Sequence, residues 1–180
     1  MHSFHISLSN ELPRDEFDIF MTKEVASFEL PCIPEEKRDL KEYIRQQIEE
    51  SRISIDSFFG FCSYNDPPGY KPRTSGFNEG RWVTSATGVF IKRFKVPSWR
   101  EKKTGLYTNE ADASLAVRAC TGGVVLTAEN RNKGGPLKEA SRLGGRIINL
   151  NDFDPIKTSL RTFIIDYISR VQNSQEGNNW

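Results

Sequence analysis

The chain has 180 residues, 25 of them basic and 24 acidic, for a formal net charge of +1, a balance that excludes a uniformly basic or acidic surface. Its length suits one closed core, no apolar run is long enough to cross a bilayer, and Met1-His2-Ser3-Phe4-His5 lacks the layout of a secretion signal. Cys32, Cys62 and Cys120 are scattered and the only histidines are His2 and His5, so a thiolate zinc site is disfavoured and metal chemistry would fall to carboxylates and a hard ion such as Mg²⁺ or Mn²⁺.

These features predict a soluble, cytoplasmic protein without membrane association. Phe4, Ile6 and Leu8 alternate with polar residues as a short strand does, and Pro13 breaks it. Phe17, Ile19 and Met21 start a second strand, and Thr22 is placed to cap a helix through Val25 and Glu29 that Pro31 ends. Pro34 opens the next helix, with Leu40, Tyr43, Ile44 and Ile48 on one face and Glu35, Glu36, Lys37, Lys41 and Glu49 toward water. From Glu11 to Glu50 there are 12 acids against 6 bases. Ile53 to Phe61 reads as a strand.

Residues 62–80 and 97–107 read as long polar loops. Between them, Arg81 to Ser85 and Val89 to Val96 carry the signal of a basic β-hairpin inserted into the domain. From Tyr70 to Lys103 the charge balance reverses, with 9 bases facing only Glu79 and Glu101. Lys92, Arg93, Lys95 and Arg81 interleave with Trp82, Phe90 and Phe94, a pattern suited to gripping a single-stranded nucleic acid. The plainer account is an exposed ribbon whose lysines protect its edge.

The remainder alternates regularly. Thr108 or Asn109 caps a helix that Gly122-Gly123 stops, and Val124-Val125-Leu126 is a short apolar strand. Pro136 opens a helix that Gly144-Gly145 ends, Arg146 to Leu150 is a strand, and Asp154-Pro155 starts a last helix with Leu160, Phe163, Ile164, Tyr167, Ile168 and Val171 inward. Cys120 reads as core packing. This order predicts an α/β fold: one domain over residues 1–171 with a mostly parallel central sheet flanked by helices, and a disordered tail over 172–180.

Asn109-Glu110-Ala111-Asp112-Ala113-Ser114-Leu115-Ala116, then Val124-Val125-Leu126-Thr127-Ala128-Glu129, then Gly144-Gly145-Arg146-Ile147-Ile148-Asn149-Leu150-Asn151-Asp152-Phe153 resembles the PIN-like nuclease family. Asp112 stands at that family's helix-start Asp, and Thr127-Ala128-Glu129 at its Thr-x-acid step, with Glu for the commoner Asp. Residues Phe17 to Leu30 are similar to its strand and helix carrying a Glu, which is Glu29 or, less well, Glu24. The family's first strand ends in a central aspartate. The strand at Phe4 to Ser9 has Ser there instead, and a site lacking that acid should hold metal weakly.

The resemblance implies a Mg²⁺- or Mn²⁺-dependent ribonuclease acting on RNA. Asp112 and Glu129 would be metal ligands and Glu29 a supporting catalytic acid, the cation generating hydroxide and neutralising charge on the phosphate. The alternative is a non-catalytic interaction protein on the same fold, such as an immunity or antitoxin protein that blocks a protein partner. Plainer roles exist for each acid: Asp112 offsetting a helix dipole, Glu129 in a polar turn, Glu24 and Glu29 solvated on a surface helix.

Overall fold

The computed structural model describes residues 8–58, 80–81, 109–129 and 134–176. A single-turn helix α1 (Leu8–Glu11) precedes strand β1 (Phe20–Thr22). The chain then winds through a π-helical turn (Val25–Glu29) and two 3-10 turns (Leu30–Cys32 and Glu35–Lys37) into α2 (Arg38–Glu50). Strands β2 (Ser54–Phe58) and β3 (Gly80–Arg81) follow. The second half runs α3 (Glu110–Cys120), β4 (Val124–Thr127), α4 (Pro136–Arg142), β5 (Arg146–Asn149) and α5 (Leu160–Glu176).

Every strand pairing among the described residues is parallel. One piece has the order β1-β2-β3, with Phe20 opposite Ser54 and Thr22 opposite Asp56. The other is β4-β5, with Val124 opposite Arg146 and Thr127 opposite Asn149. The expected α/β class with parallel strands is therefore present, as two hydrogen-bonded pieces.

Two apolar clusters hold the fold. In the first, Ala116, Val117 and Ala119 of α3 pack on Val125, Leu137 and Ala140. Small side chains let α3 and α4 approach closely. A Cβ on Gly145 would stand 2.8 Å from the Ala140 carbonyl oxygen, so only glycine fits the turn between α4 and β5. In the second cluster Leu12, Ile148, Leu160 and Ile164 are buried, with Phe17, Ile19, Leu126 and Tyr167 packed around them. Glu11 reaches across 149 positions of sequence to accept a 2.8 Å hydrogen bond from the Leu160 amide, where α5 begins. A carboxylate there satisfies one of the amides that a helix leaves unpaired and meets the positive end of its dipole.

Several expectations are corrected. Leu8 is helical, not the end of a strand, and residues 1–7 lie outside the described residues. The strand expected from Phe17 forms only at Phe20–Thr22 and is the first described strand of the chain. Thr22 Oγ1 does accept from the Val25 amide, at 3.4 Å. On α2, Leu40 is exposed and the buried residue is Gln47, whose side-chain oxygen accepts from the Leu8 amide at 3.1 Å. Asn109 occupies the N-cap position of α3 in a left-handed conformation (φ 65°) and makes no side-chain cap bond. The last helix starts at Leu160, because the Asp154 carboxylate instead accepts from the Ile156 amide and pairs with Lys157, closing a separate turn. That helix continues to Glu176, through part of the expected tail. Cys120 is exposed rather than core.

Arg81 lies in β3, which pairs parallel to β2. The rest of the expected hairpin, both long loops except Gly80, and tail residues 177–180 lie outside the described residues.

Candidate functional site

Glu24 leaves β1 two residues beyond its last strand residue and is 3% exposed. Its burial corrects the expectation of a solvated residue on a surface helix. The Ser114 hydroxyl, on α3 and fully buried, donates to Glu24 Oε2 at 3.1 Å. Arg118, one helical turn further along, donates from one Nη to Ser114 Oγ at 2.9 Å and to the Ser114 carbonyl oxygen at 3.2 Å. Its Nε donates to Asp56 Oδ2 at 3.0 Å, on β2. Asp56 is 5% exposed, and Glu110, the first residue of α3, is 2% exposed.

Two of these buried acids, Asp56 and Glu24, thus feel the charge of Arg118, and Glu110 acts on Glu24. Burial pushes the Glu24 carboxyl above its ordinary value of 4.5, and the like charge of Glu110 acts the same way. Glu24's backbone hydrogen bond, the Ser114 hydroxyl and the positive charge of Arg118 oppose the shift without cancelling it. Titratable groups perturbed by burial and by specific neighbours are more frequent at functional sites than elsewhere.

The end of the strands at which Glu110 sits follows from local geometry. The 11 residues of α3 span about 16 Å and the 4 of β4 about 13 Å. Only Thr121-Gly122-Gly123 joins them, with Gly122 at φ 101°, so α3 lies back along β4 and its first turn points toward the carboxyl end of that strand. Glu129 leaves β4 at the same end. Its amide donates to Thr127 Oγ1 at 3.1 Å, which turns the chain immediately after the strand. Asn149 donates to the Glu129 carbonyl at 2.8 Å and Asn151 to the Ala128 carbonyl at 3.0 Å, so the loop leaving β4 is braced from the end of β5.

Of the residues expected to form the site, Asp112 is half-buried on the third position of α3, Glu129 is half-buried beyond β4, and Glu29 is half-buried in the π-helical turn. Among the described residues, which include all of these and Glu24, no three of His, Cys, Asp and Glu are grouped so as to hold a metal ion. The positive charge beside Glu24 and Asp56 comes instead from Arg118. A divalent cation takes most of its ligands as oxygens within about 2.0–2.6 Å, a convergence these acids do not make among the described residues. Lys92, Arg93, Lys95 and Trp82 lie outside the described residues, as does the side chain of Arg81.

Sequence reasoning missed the Ser114–Arg118–Asp56 connection. Two signals for it exist: Ser114 and Arg118 are four apart on one helix face, and Asp56 interrupts an otherwise apolar and small strand. No protein-family model, no curated protein and no solved structure matches this chain.

Proposed function

We propose that this chain is a degenerate PIN-like domain directed at RNA, which works by binding and has exchanged the cleavage cation for its own Arg118. The observation that carries the reading is the guanidinium held by Asp56 at 3.0 Å and by Ser114, with Glu24 on the other side of the serine hydroxyl. A buried cation supplied by the protein offsets the acids permanently and needs no ion from solution. RNA enters the reading through the basic, aromatic-bearing stretch that includes Arg81, Trp82, Lys92, Arg93 and Lys95.

A fluorescently labelled single-stranded RNA tests both halves. The expected result is salt-sensitive binding that weakens in a Lys92→Glu/Arg93→Glu/Lys95→Glu variant, with no cleavage in Mn²⁺ above that of a buffer control. Absence of binding at low salt rejects the RNA assignment. Mn²⁺-dependent cleavage lost in Asp112→Asn rejects the exchange of cation for Arg118.

A Mg²⁺- or Mn²⁺-dependent ribonuclease is the second reading. The raised pKa of Glu24, caused first by its burial, favours it, since an entering cation would stabilise the ionised carboxylate.

A further inference from the structure

The winding of the chain leaves a cleft of about 560 Å³ between β1 and β4. β1 is an edge strand of the β1-β2-β3 piece, and β4 belongs to the separate β4-β5 piece. The cleft is lined by the residues that lead into both strands, Glu16 to Ile19 before β1 and Thr121 to Gly123 before β4. Its volume is within the ordinary range for a small-molecule site, roughly 300–1,000 Å³.

The lining is sorted by chemistry and depth. Phe17, Ile19, Leu126, Ile164 and Ile168 supply apolar walls from the β1 approach, β4 and α5. Thr22 and Asp56, both buried, and Arg118 line the floor, where Arg118 Nε donates to Asp56 Oδ2 at 3.0 Å. At the rim, Glu16 and Asp18 are exposed. Glu16 is matched by Arg161, which holds it through two hydrogen bonds of 2.8 and 3.0 Å. Asp18 adds a negative charge at the opening.

We infer that this cleft binds a small molecule with an apolar body of one or two rings and a single ammonium group, the body between α5 and β4 and the ammonium at Asp18. An anion is disfavoured by the rim acids. This inference is independent of the RNA reading, since none of the residues assigned to RNA lines the cleft.

Three probes of nearly equal shape test it: 1-naphthylmethylamine, 1-naphthylmethanol and 1-naphthoate, followed through the backbone amide resonances of Gly122 and Gly123, which line the cleft. The ammonium probe is expected to shift these resonances saturably and to bind at least about fivefold tighter than the naphthoate, the ratio expected from one charge contact near water. Ile168→Trp should abolish the shifts by filling the cleft. Asp18→Asn should remove the preference for the ammonium while leaving the alcohol's binding unchanged, and this exposed substitution keeps the test decisive if the tryptophan variant does not fold. Equal or tighter binding of naphthoate overturns the proposal. So does the absence of shifts with all three probes up to about 1 mM, a threshold for weak specific binding.

Discussion

Ser114 accepts a hydrogen bond from Arg118 at 2.9 Å and donates its own proton to Glu24 at 3.1 Å, so one buried hydroxyl joins a guanidinium to a carboxyl 90 positions away in sequence. Through it the first strand's exit is fastened to α3, and through the other side of Arg118 so is β2. The acids of this region are therefore structural partners before they are anything else.

Glu24→Gln should stabilise the protein at neutral pH. The folded-state pKa of Glu24 is raised by burial, so the folded protein holds its proton more tightly than the unfolded chain does. Such a group imposes no penalty below its unfolded value near 4.5, and penalises folding increasingly as pH rises from there through the raised folded value. Glutamine keeps an oxygen for the Ser114 hydroxyl and carries no charge to desolvate. Thermal melts should show a gain of about 2–4 °C at pH 8, the effect of roughly 1 kcal/mol in a chain of this size, shrinking toward pH 4. A loss of stability at pH 8 would mean that Glu24 is held ionised by its neighbours.

Arg118→Met should be among the most damaging single substitutions described here. It leaves the Asp56 carboxylate buried without its cation, a cost of about 3–5 kcal/mol. The double variant Asp56→Asn/Arg118→Met should recover much of that loss, because no buried charge is then orphaned. Urea denaturation of the two singles and the double gives the coupling directly. Additive losses would show that the pair contributes through packing alone.

Glu11→Ala removes the acceptor for the Leu160 amide at the start of α5 and should cost about 1 kcal/mol, as loss of a helix cap typically does. Glu11→Gln, which keeps the acceptor but not the charge, should cost less. If both variants melt with the wild type, this long-range bond is not maintained in solution.

The second half of the chain was far more legible than the first, for physical reasons visible in particular residues. Pro136, Gly122-Gly123 and Gly144-Gly145 punctuate α3, β4, α4 and β5 locally, with Gly122 and Gly144 at positive φ, so the boundaries there need no tertiary information. In the first half, tertiary contacts overrule local pattern. Ile55 is 51% exposed while its neighbour Asp56 is buried, which inverts the alternation expected of a half-buried strand. On α2, Gln47 is buried and Leu40 exposed, because Gln47 is drawn inward by the Leu8 amide. Asp154-Pro155 carried a valid helix-start signature, yet the carboxylate closes its own turn and the helix waits for Leu160. Asp112 and Glu129 could be singled out from local motifs. The Ser114–Arg118 spacing is a local signal too, but its links to Glu24 and Asp56 join residues that only folding makes neighbours.

The central claim is that Arg118 supplies the positive charge that a metal ion would otherwise provide to these acids. Titration of Mn²⁺ into the protein at pH 7.5, followed by the loss of the free-ion electron paramagnetic resonance signal, tests it most directly. The account predicts no site tighter than about 1 mM in the wild type, with Glu24→Gln and Asp112→Asn indistinguishable from it. Binding of one or two Mn²⁺ per chain at micromolar concentrations, lost in either variant, would contradict it.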